Sequence, residues 1–168
     1  MRRRWLILMG AVAVAVAGGA LAYQYLPDPA TGPFAAALPG YLVQIERVRA
    51  GTIQPGIANF RGKVVVVDLA TRRVDVVQAK LPRAMRASKP EEVGTLIGMV
   101  CGTQEVGGYN NGRVETEHRC RAWAIDVVEN RPMGQFNFVN PPDEVGSRRI
   151  PARPDDQLVD YLKELRMR

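Results

Sequence analysis

The longest uncharged stretch of the chain lies near its N-terminus. Residues 5–23 are 19 consecutive uncharged and mostly apolar residues, and Arg2, Arg3 and Arg4 precede them. As a helix this stretch would be about 29 Å long, close to the hydrocarbon thickness of a bilayer. The arginines favour a cytoplasmic N-terminus, so the rest of the chain is expected in the periplasm or outside the cell. We therefore predict a transmembrane anchor or signal peptide over residues 1–26.

Two fates of this segment stay open. Its length favours a single-pass membrane anchor. The triplet Ala20-Leu21-Ala22 is typical of a signal-peptide cleavage site and favours removal of the segment after Ala22. The first fate predicts a membrane protein with its domain outside the cytoplasm, and the second predicts a secreted protein that begins at Tyr23.

Prolines set the next boundary. Four prolines and two glycines fall between residues 27 and 40. Proline fixes φ and removes a hydrogen-bond donor, so we predict an extended proline-rich linker over residues 27–40 rather than a helix or strand. The remaining residues, 41–168, are numerous enough for one hydrophobic core, and we predict a single extracytoplasmic domain.

The domain is predicted to be mainly β, in the α+β class, with a single antiparallel sheet. Apolar–polar alternation and runs of β-branched residues indicate its strands. Those strands are predicted at residues 41–48, 63–69, 73–78, 95–101, 120–128 and 133–139. The three residues Ala70-Thr71-Arg72 are short enough to make a hairpin of the second and third strands. Trp123, Phe136 and Phe138 are interpreted as core residues.

Two helices complete the prediction. Ser88 and Glu91 have the spacing of a capping box, so a short helix is expected near residues 88–94 and is expected to stop at Gly94. A second helix is predicted near residues 155–166, where apolar side chains recur at helical spacing and acidic residues occupy the first turn. It is expected to lie across one face of the sheet.

The two cysteines, Cys101 and Cys120, are predicted to form a disulfide, because an exported domain folds in an oxidising compartment. A two-residue turn at Asn110-Asn111 pairs strand residues whose numbers sum to 221, which puts the two cysteines opposite each other. They are then expected as a hydrogen-bonded pair, with Cα atoms about 5.5 Å apart. A turn at Asn111-Gly112 would make them diagonal neighbours. His118 nearby suggests two alternatives, a metal site and a Cys–His catalytic pair, but four-ligand zinc spacing is absent.

The sequence offers no recognisable catalytic motif, cofactor loop or metal-ligand set, so no catalytic, cofactor-binding or metal-binding residues are assigned. Three carboxylates are the remaining candidates for acid–base chemistry: Glu91, Glu92 and Asp126. Glu91 and Glu92 are adjacent, and adjacent residues on a helix point in different directions, so capping and surface roles are favoured. Asp126 lies in an apolar strand, where a hydrogen-bonded structural role is favoured over a catalytic one.

Charge is distributed unevenly along the chain. Residues 47–89 hold ten basic and two acidic residues, a local charge of +8, and residues 90–164 hold eight basic and thirteen acidic residues, a local charge of −5. One interpretation is that the two halves pack together and neutralise each other. The other is that residues 47–89 present a basic face to an anionic lipid or polymer.

The second half of the chain carries an ordered set of features. The stretch from Lys89 to Thr95 is followed by a Cys-bearing strand, a Val-Gly-Gly-Tyr turn, a second Cys-bearing strand and a Pro-Pro pair. In these features the chain resembles a group of uncharacterised exported or membrane-anchored bacterial proteins with a small domain of the Pro-Glu-Glu-Val-Gly-Thr type, over about residues 60–165. The resemblance implies an exported location and a shared domain, and it implies no activity and no catalytic residue.

The expected function is a non-catalytic binding or interaction module of the bacterial cell envelope. Its expected partners are the membrane, through the N-terminal helix, and an envelope protein or anionic polymer; nucleic acid is not expected. Two alternatives stay open: a small envelope enzyme, such as a carboxylate-based hydrolase, and a basic module that docks on anionic lipid or polymer. Two carboxylates converging in a pocket would favour the enzyme, and a contiguous arginine face would favour the docking module.

Overall fold

Five strands form one sheet, and two helices pack on it. The computed structural model of the protein describes residues 32–51, 60–108, 114–142 and 151–166. The strands are β1 (Lys63–Asp68), β2 (Arg73–Val74), β3 (Val93–Gly108), β4 (Val114–Asp126) and β5 (Arg131–Asn140). The helices are α1 (Leu38–Ala50) and α2 (Asp155–Arg166), and short 3-10 turns occupy Gly32–Phe34, Val76–Lys80 and Pro90–Glu92. The predicted α+β class is confirmed. The N-terminal segment, residues 1–26, lies outside the described residues.

The sheet is mixed, which corrects the prediction of a purely antiparallel sheet. Its strand order is β2-β1-β3-β4-β5. β1 runs parallel to β3, with Val66 opposite Ile97, while the other neighbouring pairs are antiparallel. A parallel pair needs a crossover of a dozen or more residues. The chain between Asp68 and Val93 provides it as an irregular return with a 3-10 turn, whose sequence has no periodic pattern that would reveal the strand direction.

β1 is the short buried strand that its four valines predict. All four, Val64 to Val67, are buried because both faces of the sheet are covered at this point. The predicted hairpin after it is also present, with Val67 opposite Val74. The second strand is shorter than expected, however, because the chain turns into the 3-10 turn Val76–Lys80.

The side chain of Gln78 closes the outer edge of β1 beyond the end of β2. Its Oε1 accepts a hydrogen bond from Val66 N at 2.9 Å, and its Nε2 donates to Val64 O at 3.2 Å and Ala87 O at 3.1 Å. The segment around Met85 pairs with the same edge, since Val64 N donates to Met85 O at 2.7 Å. The buried amide of Gln78 therefore satisfies strand groups that have no neighbouring strand.

α1 replaces the strand predicted at residues 41–48, and that prediction is wrong. The apparent alternation around Val43 covers only four residues, and Val43 is 59% exposed. Over a longer window the buried residues recur at helical spacing: Leu38, Tyr41, Leu42 and Ile45. Residues 32–40, assigned from sequence to the end of the linker, hold the 3-10 turn with buried Phe34 and the start of α1. Proline in the first turn of a helix is favourable, so Pro39 marks the beginning of α1 rather than a spacer.

The short helix expected near residues 88–94 is only the 3-10 turn Pro90–Glu92. Its capping contact also differs from the prediction. The backbone N and the Oγ of Ser88 both donate to Glu92 at 2.9 Å, rather than to Glu91. Gly94, expected to end a helix, lies instead within β3, where a Cβ atom would be 2.4 Å from the carbonyl oxygen of Arg61. Glycine is required there because the backbone near Arg61 crosses β3 at close range.

α2 confirms the helix predicted at residues 155–166 and lies across the sheet as expected. Leu158 and Leu162 are fully buried beneath it. The ring of Tyr161 packs 5.2 Å from that of Phe136 and 6.0 Å from that of Phe138. These contacts explain why α2 is amphipathic in sequence.

Each helix covers a separate core. The core on the α2 face of the sheet consists of Val64, Val66, Val77, Leu81, Met85, Ile97, Met99, Cys120, Ala122, Ala124, Phe136, Phe138, Leu158, Val159 and Leu162. The core on the α1 face consists of Phe34, Leu38, Tyr41, Leu42, Ile45, Val65, Val67, Leu69, Val74, Ala87, Val93, Leu96, Trp123 and Ile125. In the part of the chain that the structure describes, no helix combines the length and apolar character needed to cross a membrane.

Candidate functional site

The disulfide between Cys101 and Cys120 joins β3 to β4. The two residues are direct partners in the strand register, as the sum of 221 predicts. Their Cα atoms are 4.1 Å apart, which is the spacing of a non-hydrogen-bonded pair and corrects the expected hydrogen-bonded pair. The turn residues from Tyr109 to Arg113 lie outside the described residues. The disulfide fixes the pairing of the two strands just where β3 leaves the core and becomes exposed.

His118 does not act with the cysteines. Its Nδ1 lies 3.3 Å from Pro151 O, and both cysteine sulfurs are bonded to each other. Among the described residues, no group of three His, Cys, Asp or Glu side chains is arranged to hold a metal ion. His118 therefore ties β4 to the segment that precedes α2.

Glu92 is held by hydrogen bonds in the turn before β3. Lys63 Nζ donates to its carboxylate at 3.0 Å, in addition to the two donors of Ser88. The backbone donor of Ser88, the Lys63 ammonium and the Ser88 hydroxyl together lower the pKa of Glu92 to about 2. Glu92 therefore stays ionised at neutral pH and cannot serve as a general acid. Its neighbour Glu91 is exposed.

Asp126 is the fully buried carboxylate at the end of β4. Its Oδ1 accepts hydrogen bonds from Val128 N and Glu129 N, each at 3.0 Å, and its Oδ2 lies 3.7 Å from Nε of Arg61. These contacts agree with the hydrogen-bonded structural role favoured from the sequence. No hydrogen bond or ion pair within the described ranges links Asp126 to Glu91 or Glu92.

The basic segment, residues 47–89, is partly neutralised by the acidic half of the chain, residues 90–164. Its cross-chain ion pairs join Arg61 to Glu129, Lys63 to Glu92, and Lys80 to Asp155 and Asp156. An acidic residue of the basic segment is also paired with a basic residue of the acidic half, since Arg153 binds the buried carboxylate of Asp75. These contacts support packing of the two halves, and they remove three of the ten basic residues from a continuous basic face.

An open cavity of about 280 Å³ lies on the α1 face of the sheet, beyond the end of α1. We call it the arginine groove. Its lining residues are Arg49, Val100, Cys101, Gly102, Thr103, Gln104, Arg119, Arg121 and Trp123. It therefore combines three guanidinium groups with one indole and a glycine-containing floor. A second cavity, of about 210 Å³, is lined by Leu42, Val43, Glu46, Leu69 and Arg72.

Strand geometry places two of the three arginines. Alternate residues of a strand face the same side, so Arg119, Arg121 and Trp123 share the α1 face of β4. Opposite them on β3 are Gly102, Val100 and Gly98. The register that pairs the two cysteines thus also decides which residues line the groove.

α1 supplies the third arginine. The guanidinium carbon of Arg49 lies 5.4 Å from the ring centroid of Trp123, within cation–π range. The helix can approach β4 this closely because Gly98 lies under it, where a Cβ atom would be only 2.5 Å from Cγ2 of Ile45. Gly98 therefore sets the depth of α1 and, through it, the position of Arg49.

The arginines differ in how they are neutralised. Arg119 forms an ion pair with the buried carboxylate of Glu117, and Arg49 lies 3.6 Å from Glu46. Arg121 has no ion-pair partner within the described ranges and is exposed. Three positive and two negative groups leave a net charge of +1, and all three arginines are exposed. Such a site can bind an anion through charge-assisted hydrogen bonds.

The groove was not predicted from the sequence. The basic face was expected in residues 47–89, yet only Arg49 of the groove belongs there, and Arg119 and Arg121 lie in the acidic half. Because alternate residues of a strand share a face, extending the strand predicted at residues 120–128 back to Arg119 would have put both arginines on the face of Trp123. Trp123, Phe136 and Phe138 are buried, as the prediction of core residues requires.

Comparison with protein-family models, with curated proteins and with solved structures finds no match to this chain. The resemblance to exported bacterial proteins therefore stays a prediction.

Proposed function

We propose that the chain is an extracytoplasmic domain of a bacterial cell envelope that binds an anionic partner in the arginine groove and catalyses no reaction. The observation that carries this proposal is the cavity in which Arg49, Arg119 and Arg121 converge. Guanidinium groups match carboxylate and phosphate groups in shape and charge.

The extracytoplasmic location has two independent supports. The Cys101–Cys120 disulfide agrees with an oxidising compartment. The three arginines followed by an apolar stretch are typical of an N-terminal export segment. We propose a single-pass anchor with the domain outside the cytoplasm, or a secreted form if the chain is cleaved after Ala22.

The enzyme alternative receives less support from the described contacts. Glu92 accepts hydrogen bonds from Ser88 and Lys63, Asp126 accepts two through Oδ1, and neither carboxylate lines the arginine groove. General acid–base catalysis requires groups that can reach a substrate and exchange protons with it. A binding role needs only the exposed donors that the groove provides.

Binding can be tested by titrating the full chain with one sulfated and one neutral polysaccharide. We expect dextran sulfate to bind and neutral dextran not to bind, with an affinity that falls as salt rises because exposed charges are screened. Arg121→Gln should weaken binding by about tenfold or more, which is the range for one hydrogen bond to a charged group. Arg83→Gln is the matched control, since Arg83 is exposed but lies outside the groove. Equal losses in the two variants, or no binding at low salt, would contradict the proposal.

Location requires a separate experiment. Alkaline phosphatase fused after Arg168 should be active, because this enzyme needs an oxidising compartment for its own disulfides. N-terminal sequencing of the mature protein distinguishes the two fates, since a cleaved chain begins at Tyr23. An inactive phosphatase beside an active cytoplasmic reporter would reject export.

A further inference from the structure

We propose that the ligand of the arginine groove is a linear polyanion without nucleobases, laid along β4, and not an isolated anion or a membrane surface. This inference rests on the proposed anion-binding function and specifies the ligand. The observation behind it is that Arg119 and Arg121 alternate along one face of β4 and that Arg49 lies over Trp123, the next residue on that face. We call these three arginines the row.

The spacing of the row follows from the alternation of side chains along β4. Arg119 and Arg121 are two residues apart on one face of β4, so their Cα atoms are roughly 7 Å apart. The next residue on that face is Trp123, and the guanidinium of Arg49 lies over its ring. Arg119, Arg121 and the tryptophan under Arg49 thus occupy three successive positions on one face of β4, and their Cα atoms span roughly 13 Å. A chain with repeated anionic groups can contact all three at once, whereas a single small anion cannot.

The surface of β3 beside the row carries small side chains. Gly102 lies opposite Arg119, and a Cβ atom added to it would meet no atom within 4 Å. Val100 lies opposite Arg121. An extended ligand can therefore lie beside the arginines and parallel to β4 without meeting a large side chain at Gly102.

Two of the arginines are positioned before a ligand binds. Glu117 holds Arg119, and Trp123 supports Arg49. Prior ordering of donors lowers the entropic cost of binding. Once one unit of a polymer is bound, the neighbouring arginines meet the next units at high effective concentration.

Other polyanionic partners fit the described surface less well. Trp123 is 5% exposed, so it offers neither an aromatic platform for bases nor an anchor for insertion into a bilayer. Among the described residues, the large hydrophobic side chains that are exposed lie on different elements: Val43, Val76, Val106 and Val128.

The test compares tripolyphosphate with long-chain polyphosphate, two probes with the same chemistry and different lengths, in titrations of the full chain. We expect the long chain to bind at least about tenfold tighter per molecule, because neighbouring contacts add to one another. Arg49→Gln should weaken the long chain several times more than tripolyphosphate, because Arg49 lies at one end of the row. Arg83→Gln should change neither affinity.

A variant that leaves the charge unchanged provides a second readout. Gly102→Leu should fill the floor and weaken long-chain binding, and its melting curve shows whether it folds. If it does not fold, the Arg49→Gln comparison decides the question alone.

The possible outcomes are distinguishable. If both probes bind equally and both depend on Arg121, the linear-polymer inference is overturned while the proposed function stands. Binding to phosphatidylglycerol vesicles or to oligothymidylate that is stronger than binding to polyphosphate, and that Arg121→Gln weakens, would also overturn it, in favour of a membrane or a nucleic acid. If no anionic probe binds, both proposals fail.

Discussion

The two faces of the sheet differ in how far a helix covers them. On the α2 face, helix α2 and the aromatic residues of β5 cover the strands as far as the disulfide. On the α1 face, helix α1 stops near Trp123 and leaves Arg119 and Arg121 uncovered. One strand serves both faces, because alternate residues of β4 point to opposite sides. A strand can thus be structural through one set of side chains and available for binding through the other.

The helices are also attached by different interactions. Arg153, just before α2, binds Asp75 and Asp155, and Lys80 binds Asp155 from the 3-10 turn after β2. Burial of the guanidinium works against its charged form, yet the bonds to Asp75 and Asp155 outweigh it and raise the pKa of Arg153. α1 is attached by the packing of its buried apolar side chains, which includes the close fit of Ile45 over Gly98. The α2 face thus depends on charged contacts as well as packing, and the α1 face depends on close packing.

The largest expected effect is in the core of the α2 face. Leu158→Ala removes a fully buried side chain and should lower the free energy of unfolding by about 2–5 kcal/mol, since it leaves a cavity. Val43→Ala on the exposed side of α1 should change it by less than about 0.5 kcal/mol. Urea denaturation of both variants measures the difference. Similar values would mean that α2 is not an integral part of the core.

The second largest effect is expected on loss of the disulfide, which links β3 to β4. Its cysteines are 19 residues apart, so its loss should cost roughly 3 kcal/mol by the loop-entropy relation. Cys101→Ala, Cys120→Ala and the double variant should be destabilised by similar amounts, because one cysteine alone forms no bond. Two free thiols titrated in the unreduced native protein would contradict the disulfide.

Gly98→Ala tests the close packing of the α1 face. The added methyl group would overlap Ile45 and should destabilise the fold by about 1–3 kcal/mol. Gly102→Ala is the matched control on the same strand, because its Cβ would meet no atom within 4 Å. Thermal melts of the two variants should therefore differ. Equal stability would show that α1 can move away from β3 at no cost.

The smallest effect on stability is expected at Glu92, which lies in the turn before β3 and belongs to neither helix. Its pKa is about 2 in the folded chain against 4.5 for a free side chain, so its contribution to stability is present above pH 4.5 and is lost as the pH falls towards 2. Glu92→Gln should remove that part of the pH dependence. Glu91→Gln is the control, since Glu91 accepts none of those hydrogen bonds. Identical acid profiles for the two variants would reject this role of Glu92.

Elements with a strong local pattern were predictable from the sequence. The valines of β1, the alternation of β5 and the helical spacing of α2 each lie within one short window, and all three elements are present. The pairing of Cys101 with Cys120 agrees with one of the two predicted turn positions, although a register shift between Glu105 and Gly107 makes the pairs nearest the turn sum to 222.

Features that depend on distant contacts were not predictable. The direction of β1 against β3 is set by an aperiodic connection, and α1 was obscured by a chance alternation around Val43. The arginine groove combines Arg49 with Arg119 and Arg121, which are 70 residues further along the chain. Only the register of the sheet and the close approach of α1 bring them together.

Gln78 has a consequence for how the protein behaves at high concentration. A strand edge with free N–H and C=O groups is a template on which another chain can add a strand and begin to aggregate. Here the buried amide of Gln78 occupies such groups on Val64 and Val66. Together with β2 and the segment around Met85, this side chain protects the outer edge of β1 from intermolecular β-pairing, which keeps a strand with four buried valines from recruiting further copies.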